Sequence, residues 1–330
     1  MDYIRYLYLT KSIVLIGCGN IGSRHLQSLM MLPFETKIEI VEPNENAQLL
    51  AKEGLKEIKH SKSYDSISWY ESLDQIQNKS DLTVIATQSP GRSNLINQLL
   101  DLGHRRFLIE KIVCQSVDEY DLLLSTMKKY NAKGWVNTNR RYFYSYKKIK
   151  ELFKNNKLSI TVTGAYPRLG TSAIHYIDLL CWLSEDYKIK LDGEFLADEL
   201  FPNKRGSNFK EFAGTITGSL KNNSTLTITF LPKSNVPSII TLVSNNNHII
   251  IDETNEKITN QTNSIKDHLE FKFQHTSEIT KLVAQDILYQ DDCLLPTLED
   301  LYIPHCELFK IFNNHIKKLT NEDIRLCPIT

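Results

Sequence analysis

The sequence predicts an α/β protein of two domains: a doubly wound parallel sheet, then an α+β domain built on a large, open, mainly antiparallel sheet. Three observations carry this. Strand and helix patterns interleave from residue 11 to about residue 137, which implies a parallel sheet covered on both faces. From Phe212 to Phe273 apolar and polar residues instead alternate, broken by Asn-rich turns such as Lys221-Asn-Asn-Ser and Asn245-Asn-Asn, a pattern of antiparallel strands with one polar face. The chain has 330 residues, 41% of them hydrophobic, enough for about two cores. The boundary falls at the change of pattern, giving domains of residues 1–137 and 138–330.

The first element is Ile13 to Ile16, an apolar run suited to a strand buried on both faces. Gly17-Cys18-Gly19-Asn20-Ile21-Gly22 follows, and Leu26, Leu29 and Met30 then share one helix face. A G-x-G-x-x-G between strand and helix is the context in which this motif signals a dinucleotide. Gly17 allows the tight turn, Gly19 leaves room for a pyrophosphate, and Gly22 lets helix and strand pack closely. Asn20 and Ile21 open the helix, whose free N–H groups and positive dipole end suit phosphate. The second strand, Lys37 to Val41, ends in Glu42, twenty residues after Gly22. An acid there accepts ribose hydroxyls; the competing reading is an ordinary solvated Glu. Pro43, Asn44 and Glu45 offer no cation for a further phosphate, so NAD is expected rather than NADP. The first domain thus reads as a Rossmann dinucleotide-binding domain.

Asn46 to Lys56 has helical spacing, and Asp81 to Ala86 is the next buried strand, followed by Thr87. A helix from Asn94 to Leu102 stops at Gly103, a good C-cap. Arg106 to Glu110 is a strand ending in Glu110-Lys111, Ser116 to Tyr130 an amphipathic helix, and Gly134 to Asn137 a closing strand. Gly17, Glu42, Thr87 and Lys111 all fall at carboxyl ends of strands, where such sheets bind ligands. In the second domain, Tyr144 to Asn155 is a basic helix, Leu158 to Thr163 a strand, and Ile174 to Leu183 an apolar helix carrying His175 and Asp178. Helices are expected at 275–289 and 297–318.

Lys plus Arg and Asp plus Glu are each 39, so the formal net charge is zero, which argues against a general nucleic-acid or membrane binder. The six cysteines are scattered without a C-x-x-C pair and read as reduced, buried thiols; no metal site is expected. Met1 to Thr10 lacks the apolar core of a signal peptide, and no run approaches a membrane span. A soluble, cytoplasmic protein is expected.

The order G-x-G-x-x-G, acidic second-strand end, Glu110-Lys111, Asn139-Arg140-Arg141, then His175-x-x-Asp178 resembles the glucose–fructose oxidoreductase and inositol dehydrogenase family (Gfo/Idh/MocA) over nearly the whole chain. The resemblance implies NAD(P)-dependent oxidation or reduction at a hydroxyl or ketone of a sugar, sugar acid, nucleotide sugar or cyclitol. It implies that Lys111 and His175 face the nicotinamide, that Glu110 belongs to the cofactor site, and that the second sheet forms a homodimer or homotetramer. Two positions depart from the pattern. Ile112 stands where the family has a proline after the lysine, and Thr171 stands where many members carry an Asp four residues before the histidine.

Hydride transfer at a carbinol needs a base for the hydroxyl proton, or an acid in reverse. Lys111 can hold the substrate oxygen; its competing fate is a surface ion pair. His175 can move a proton near neutral pH, with Asp178, one turn on, to orient it; the alternative is a packed histidine and an Asp178 paired elsewhere. Asn139, Arg140, Arg168 and Thr171 are substrate-side candidates. The arginines either bind an acidic substrate group or brace the domain. A rival for the whole protein is an NAD-binding regulator without catalysis; another is redox-assisted elimination or glycosidic cleavage on the same scaffold.

Overall fold

The computed structural model describes residues 10–56, 58, 66–154, 156–234, 236–260 and 269–330. The N-terminal residues read for a leader, Thr10 apart, and residues 261–268 of the alternating stretch lie outside these. The chain divides into two compact units: Met1–Val113 with Asp121–Asn137 and Gln274–Leu298, and Cys114–Tyr120 with Thr138–Phe273 and Glu299–Thr330.

In the first unit, β1 (Lys11–Ile16), α1 (Asn20–Leu29), β2 (Thr36–Val41), α2 (Glu45–Lys56), β3 (Ile67–Tyr70), β4 (Leu82–Ile85), α3 (Arg92–Asp101), β5 (Arg106–Ile109), α4 (Val117–Lys129, from Asp121 onward) and β6 (Lys133–Val136) follow in order. The strands form one parallel sheet in the order β3-β2-β1-β4-β5-β6. Ile13, Val14, Leu15, Ile38, Ile40, Leu82, Val84 and Phe107 are fully buried along it, as continuous apolar strands covered on both faces must be. The reversal of strand order between β1 and β4 puts a crevice at their carboxyl ends. Strand β3 has no apolar run in the sequence to announce it; as an edge strand it is only half-buried throughout.

The helix Thr276–Gln290, within a residue of its expected place, starts at a capping box of His275 and Glu278. It packs on α1, with His25 Nδ1 2.8 Å from Thr280 Oγ1 and the Lys281 N–H donating to Ser28 Oγ at 2.8 Å. The last helix spans Tyr302–Thr320 and not 297–318. Two of the residues before it have other backbone partners: Thr297 bridges to Trp135, and the Leu298 N–H donates to the Gly134 carbonyl at 3.0 Å, covering the β6 edge.

The second unit contains α5 (Tyr144–Phe153), β7 (Ser159–Ala165), α6 (Leu169–Ser184), β8 (Lys190–Asp192), the hairpin β9 (Phe201–Asn203) and β10 (Gly206–Glu211), and β11 (Gly214–Ser219) through β12 (Thr225–Leu231), β13 (Ile239–Val243), β14 (His248–Asp252) and β15 (Lys257–Asn260). Seven strands run in the order β15-β14-β13-β7-β12-β11-β8, antiparallel except for the parallel pair β7 and β12. On the covered face Ile160, Val162, Ile228, Phe230, Ile240, Leu242, Ile249 and Ile251 are buried. α6 is buried almost all round, and Phe212 stacks on Phe312 of the helix Tyr302–Thr320 at 4.0 Å. Among the described residues no helix is long and apolar enough to cross a membrane, and no cluster of metal-ligating side chains is present.

Candidate functional site

The glycine-rich turn is built as its residues require. Gly17 has φ +82°, and a Cβ there would lie 3.1 Å from the Thr87 backbone nitrogen. A Cβ on Gly22 would sit 2.0 Å from the Gly17 carbonyl oxygen, so only glycine lets α1 start this close to the turn. A Cβ on Gly19, by contrast, would meet nothing within 4 Å: that position opens to free space, as a pyrophosphate needs. The first turn of α1, which includes Asn20 and Ile21, carries no acidic side chain to compete for an anion.

Glu42 follows β2 and is largely buried. Its Oε2 accepts the Cys18 N–H at 2.6 Å and its Oε1 the Asn44 N–H at 2.9 Å, so the acid pins the glycine turn. Each oxygen retains a further lone pair for a ribose hydroxyl. Burial, and then the charge of Glu42, pushes the Cys18 thiol up to about 12, which makes it an inert core residue. At the end of β4, Thr87 Oγ1 is buried with no hydrogen-bond partner among the described residues, an orphan that a bound molecule at this edge would satisfy. The open Gly19, the unopposed helix N-terminus, Glu42 and Thr87 together fit a dinucleotide.

Beyond β5 the Glu110 carboxylate turns inward. Its Oε1 receives His25 Nε2 at 3.0 Å and the Asn137 amide at 2.5 Å. Burial alone would raise this carboxyl, but the hydrogen bond and charge of His25, the Asn137 amide and the charge of Lys111 bring it down to about 2. Lys111 is next, largely buried, and the Lys111–Ile112 peptide is cis. Its backbone is flanked by two acceptors: Arg92 donates from one guanidinium nitrogen to the carbonyls of Glu110 and Ile112, and from the other to the carbonyl of Thr87. No motif in the sequence singles out His25 or Arg92. Both left a signal. A cation at the first position of a helix opposes the dipole, so Arg92 had to be bound elsewhere, and a histidine three residues past the last glycine stands on the turn of helix nearest the strand ends.

In the second unit α6 holds Thr171 and His175 one turn apart, both half-buried on a helix whose other sides are covered. The expectation that Asp178 orients His175 is not what its carboxylate does. Asp178 is buried, and its oxygens accept Arg141 through two nitrogens and the Thr138 hydroxyl at 2.7 Å. Asn139 and Arg140 lie in the short 3-10 turn Asn139–Tyr142. Arg140 grips Glu253 with two hydrogen bonds, 2.9 and 2.6 Å, and stacks over Tyr176 at 4.6 Å, while the Tyr146 hydroxyl donates to the same carboxylate at 2.7 Å. Of the two readings offered for the arginines, Arg140 and Arg141 take the bracing one. Arg168 is half-buried, donates to Ser238 and lies over Phe230 at 4.7 Å. Thr171 donates its hydroxyl, and its N–H at 3.3 Å, to Glu211 of β10, which also accepts the Asn203 amide at 3.0 Å.

Residues 11–138 match the Gfo/Idh/MocA model, described as an oxidoreductase family with an NAD-binding Rossmann fold. No curated protein matches the sequence. Among solved structures, the chain is similar to the WlbA dehydrogenase from Bordetella pertussis in complex with NADH and UDP-GlcNAcA (14% identity, 98% of this chain and 99% of that one, TM-score 0.68). It is also similar to the UDP-N-acetylglucosamine 3-dehydrogenase GnnA from Acidithiobacillus ferrooxidans (12% identity, 92% and 97%, TM-score 0.68). A third is an Agrobacterium radiobacter oxidoreductase in complex with NAD+, L-tartaric acid and magnesium (13% identity, 92% and 94%, TM-score 0.66). At these identities the likeness is one of fold.

Proposed function

We propose that this chain, whose residues 11–138 belong to the Gfo/Idh/MocA oxidoreductase family, transfers a hydride between NAD and a hydroxyl or ketone carbon of a sugar-like substrate: a sugar, sugar acid, nucleotide sugar or cyclitol. The observation that carries this reading is the seating of Lys111. It stands at the carboxyl end of β5, two strands from the glycine turn, with its backbone fixed on both sides by Arg92 and its neighbour Glu110 fixed by His25 and Asn137. A lysine so placed has its backbone held at the strand end where such sheets bind their ligands. The sugar class is supported by two dehydrogenases of like fold, one a UDP-N-acetylglucosamine 3-dehydrogenase and one solved with NADH and UDP-GlcNAcA.

Bound NAD supplies the hydride acceptor. The N–H groups of Asn20 and Ile21, with the open Gly19, receive the pyrophosphate. Glu42 accepts the ribose hydroxyls, and Thr87 bonds the cofactor farther along. Lys111 donates from Nζ to the substrate oxygen and holds it, while His175 takes the hydroxyl proton on an imidazole nitrogen. With Arg140 committed to Glu253 and Arg141 to Asp178, the polar groups offered to substrate are Arg168, which precedes α6, Thr171 on its first turn, and Asn139, which precedes Arg140 in sequence.

The test is NADH formation from NAD across a panel of sugars, sugar acids, nucleotide sugars and cyclitols. Turnover is expected with one of these classes, and Lys111→Ala and His175→Ala should each lower it by about 100-fold or more. Rates like the wild type in both variants would remove the mechanism. Tight NADH binding with no turnover on any of these classes would favour the regulator instead.

A further inference from the structure

Resting on that reading of the cofactor site, we propose that Arg92 is a positioning residue: it shapes the part of the first unit that meets the nicotinamide half of NAD. Arg92 is the first residue of α3 and one of the largest fully buried side chains, 1% exposed. A buried guanidinium is costly unless its N–H groups are bonded. Here the two terminal nitrogens are bonded to main-chain carbonyls: those of Thr87, Glu110 and Ile112. The three acceptors come from the carboxyl ends of two neighbouring strands, β4 and β5, and two of them bracket Lys111. One rigid, planar fork therefore sets the spacing between the Thr87 loop and the Lys111 loop. Lysine, a point charge with no fork, cannot span the same three carbonyls.

The strand order says which half of the cofactor these loops meet. Glu42, at the end of β2, lies on one side of the glycine turn at the end of β1, and β4 and β5 lie on the other. A dinucleotide with its adenosine ribose on Glu42 and its pyrophosphate on the turn must carry its remaining half over β4 and β5. Arg92 thus governs contacts to the nicotinamide half, and Glu42 governs contacts to the adenosine half. A residue that merely held the fold together would affect both halves alike.

NADH and ADP-ribose separate these cases, because ADP-ribose has the adenosine and pyrophosphate but no nicotinamide. Binding of each is measured on the full chain for wild type, Arg92→Lys, Arg92→Met and Glu42→Ala, with thermal unfolding recorded for all four. Arg92→Met should bind NADH about 10-fold more weakly, on the order of the loss of one charge-assisted hydrogen bond, and both Arg92 variants should bind ADP-ribose as wild type does. Arg92→Lys should recover part of the NADH affinity, and it carries the test if Arg92→Met does not fold. Glu42→Ala should weaken both ligands. Parallel weakening of NADH and ADP-ribose in Arg92→Lys, or no change in either, would overturn the role given to Arg92 while leaving the cofactor site intact. A wild-type chain that binds neither ligand would overturn the cofactor reading itself, and this proposal with it.

Discussion

His25 of α1 and Glu110 at the end of β5 meet at 3.0 Å, both buried, and so join the helix behind the glycine turn to the strand that presents Lys111. The pair lies 85 residues apart in sequence, and its acid partner is also held by Asn137. It ties the two ends of the candidate cofactor site to each other within one unit.

This pair gives the first unit a pH signature. The Glu110 carboxyl is lowered from 4.5 to about 2. A group lowered on folding contributes stability that is present above its unfolded value and is lost as pH falls through the folded one. The contribution should therefore be complete above about pH 4.5 and disappear toward about pH 2. Glu110→Gln should cost roughly 1–3 kcal/mol at neutral pH, the scale of a buried charged hydrogen bond lost. In urea titrations the gap between wild type and variant should close between those two pH values. A gap that stays constant down to pH 2 would assign the stability elsewhere.

Cofactor choice rests on Glu42. Its oxygens already hold Cys18 and Asn44, so the carboxylate is fixed in place, and a phosphate on the adjacent ribose would meet it as like charge. NADH should bind more tightly than NADPH by fluorescence titration, and Glu42→Ala should narrow the difference while weakening NADH. Tighter binding of NADPH by the wild type would refute the assignment.

Asp178 and His175 should separate cleanly, although they stand on the same helix. Asp178→Asn takes the charged partner from the buried Arg141, which should cost about 3–5 kcal/mol of stability. His175, half-buried and on the face with Thr171, should behave in the opposite way: His175→Ala should leave unfolding nearly unchanged and remove turnover. Should Asp178→Asn keep full stability and shift the pH profile of turnover, the original expectation that Asp178 orients His175 would return.

What the sequence made legible was local. The glycine turn, the strand ends and Glu110-Lys111 are each set by a few adjacent residues, so the pattern of the chain announces them. What it hid were partners brought together by folding. Glu253 on Arg140 and Glu211 on Thr171 sit 113 and 40 residues away, and no periodicity links such pairs. That is why two arginines could be offered equally to a substrate or to the fold. The late helix Thr276–Gln290 was visible as a helix, but its place on α1 follows from His25, Ser28 and Thr280, which no motif connects.

The half-buried, Thr-rich face of the large sheet is the surface we propose for a dimer. Thr217, Thr227, Thr161, Thr241 and Ile250 form one row across five strands, and Thr215, Thr229, Thr163 and Ile239 form the next. Most of these are half-buried, with Leu231 and Val243 exposed at the rim. β-branched side chains of this kind form a flat surface that a second copy can match about a two-fold axis. Light scattering at micromolar concentration should give twice the chain mass, and Thr161→Lys, in the middle of the row, should give a monomer. A wild-type monomer would exclude this surface as an interface.

The departure at Thr171 yields the sharpest test. Many members of the family that the sequence resembles carry an Asp there, and the simple expectation is that Thr171→Asp supplies a missing carboxylate. The structure already has one: Glu211 takes both the hydroxyl and the N–H of Thr171, one helical turn before His175. An Asp at 171 would face Glu211 with no proton between them, so one acid would have to be protonated or the two would part. Thr171→Asp alone should thus lose about 1–3 kcal/mol at neutral pH and regain it in acid, where the two carboxylates can share a proton. Adding Glu211→Gln leaves one carboxylate and one amide donor, and the double variant should recover most of the stability at neutral pH. Turnover then tells what the carboxylate is for. If an acid beside Thr171 serves His175, Glu211→Gln alone should slow turnover, and moving the acid to position 171 in the double variant should restore it. A Thr171→Asp variant as stable as wild type at pH 7 would mean that Glu211 does not confront that position, and the exchange of one acid for another would be refuted.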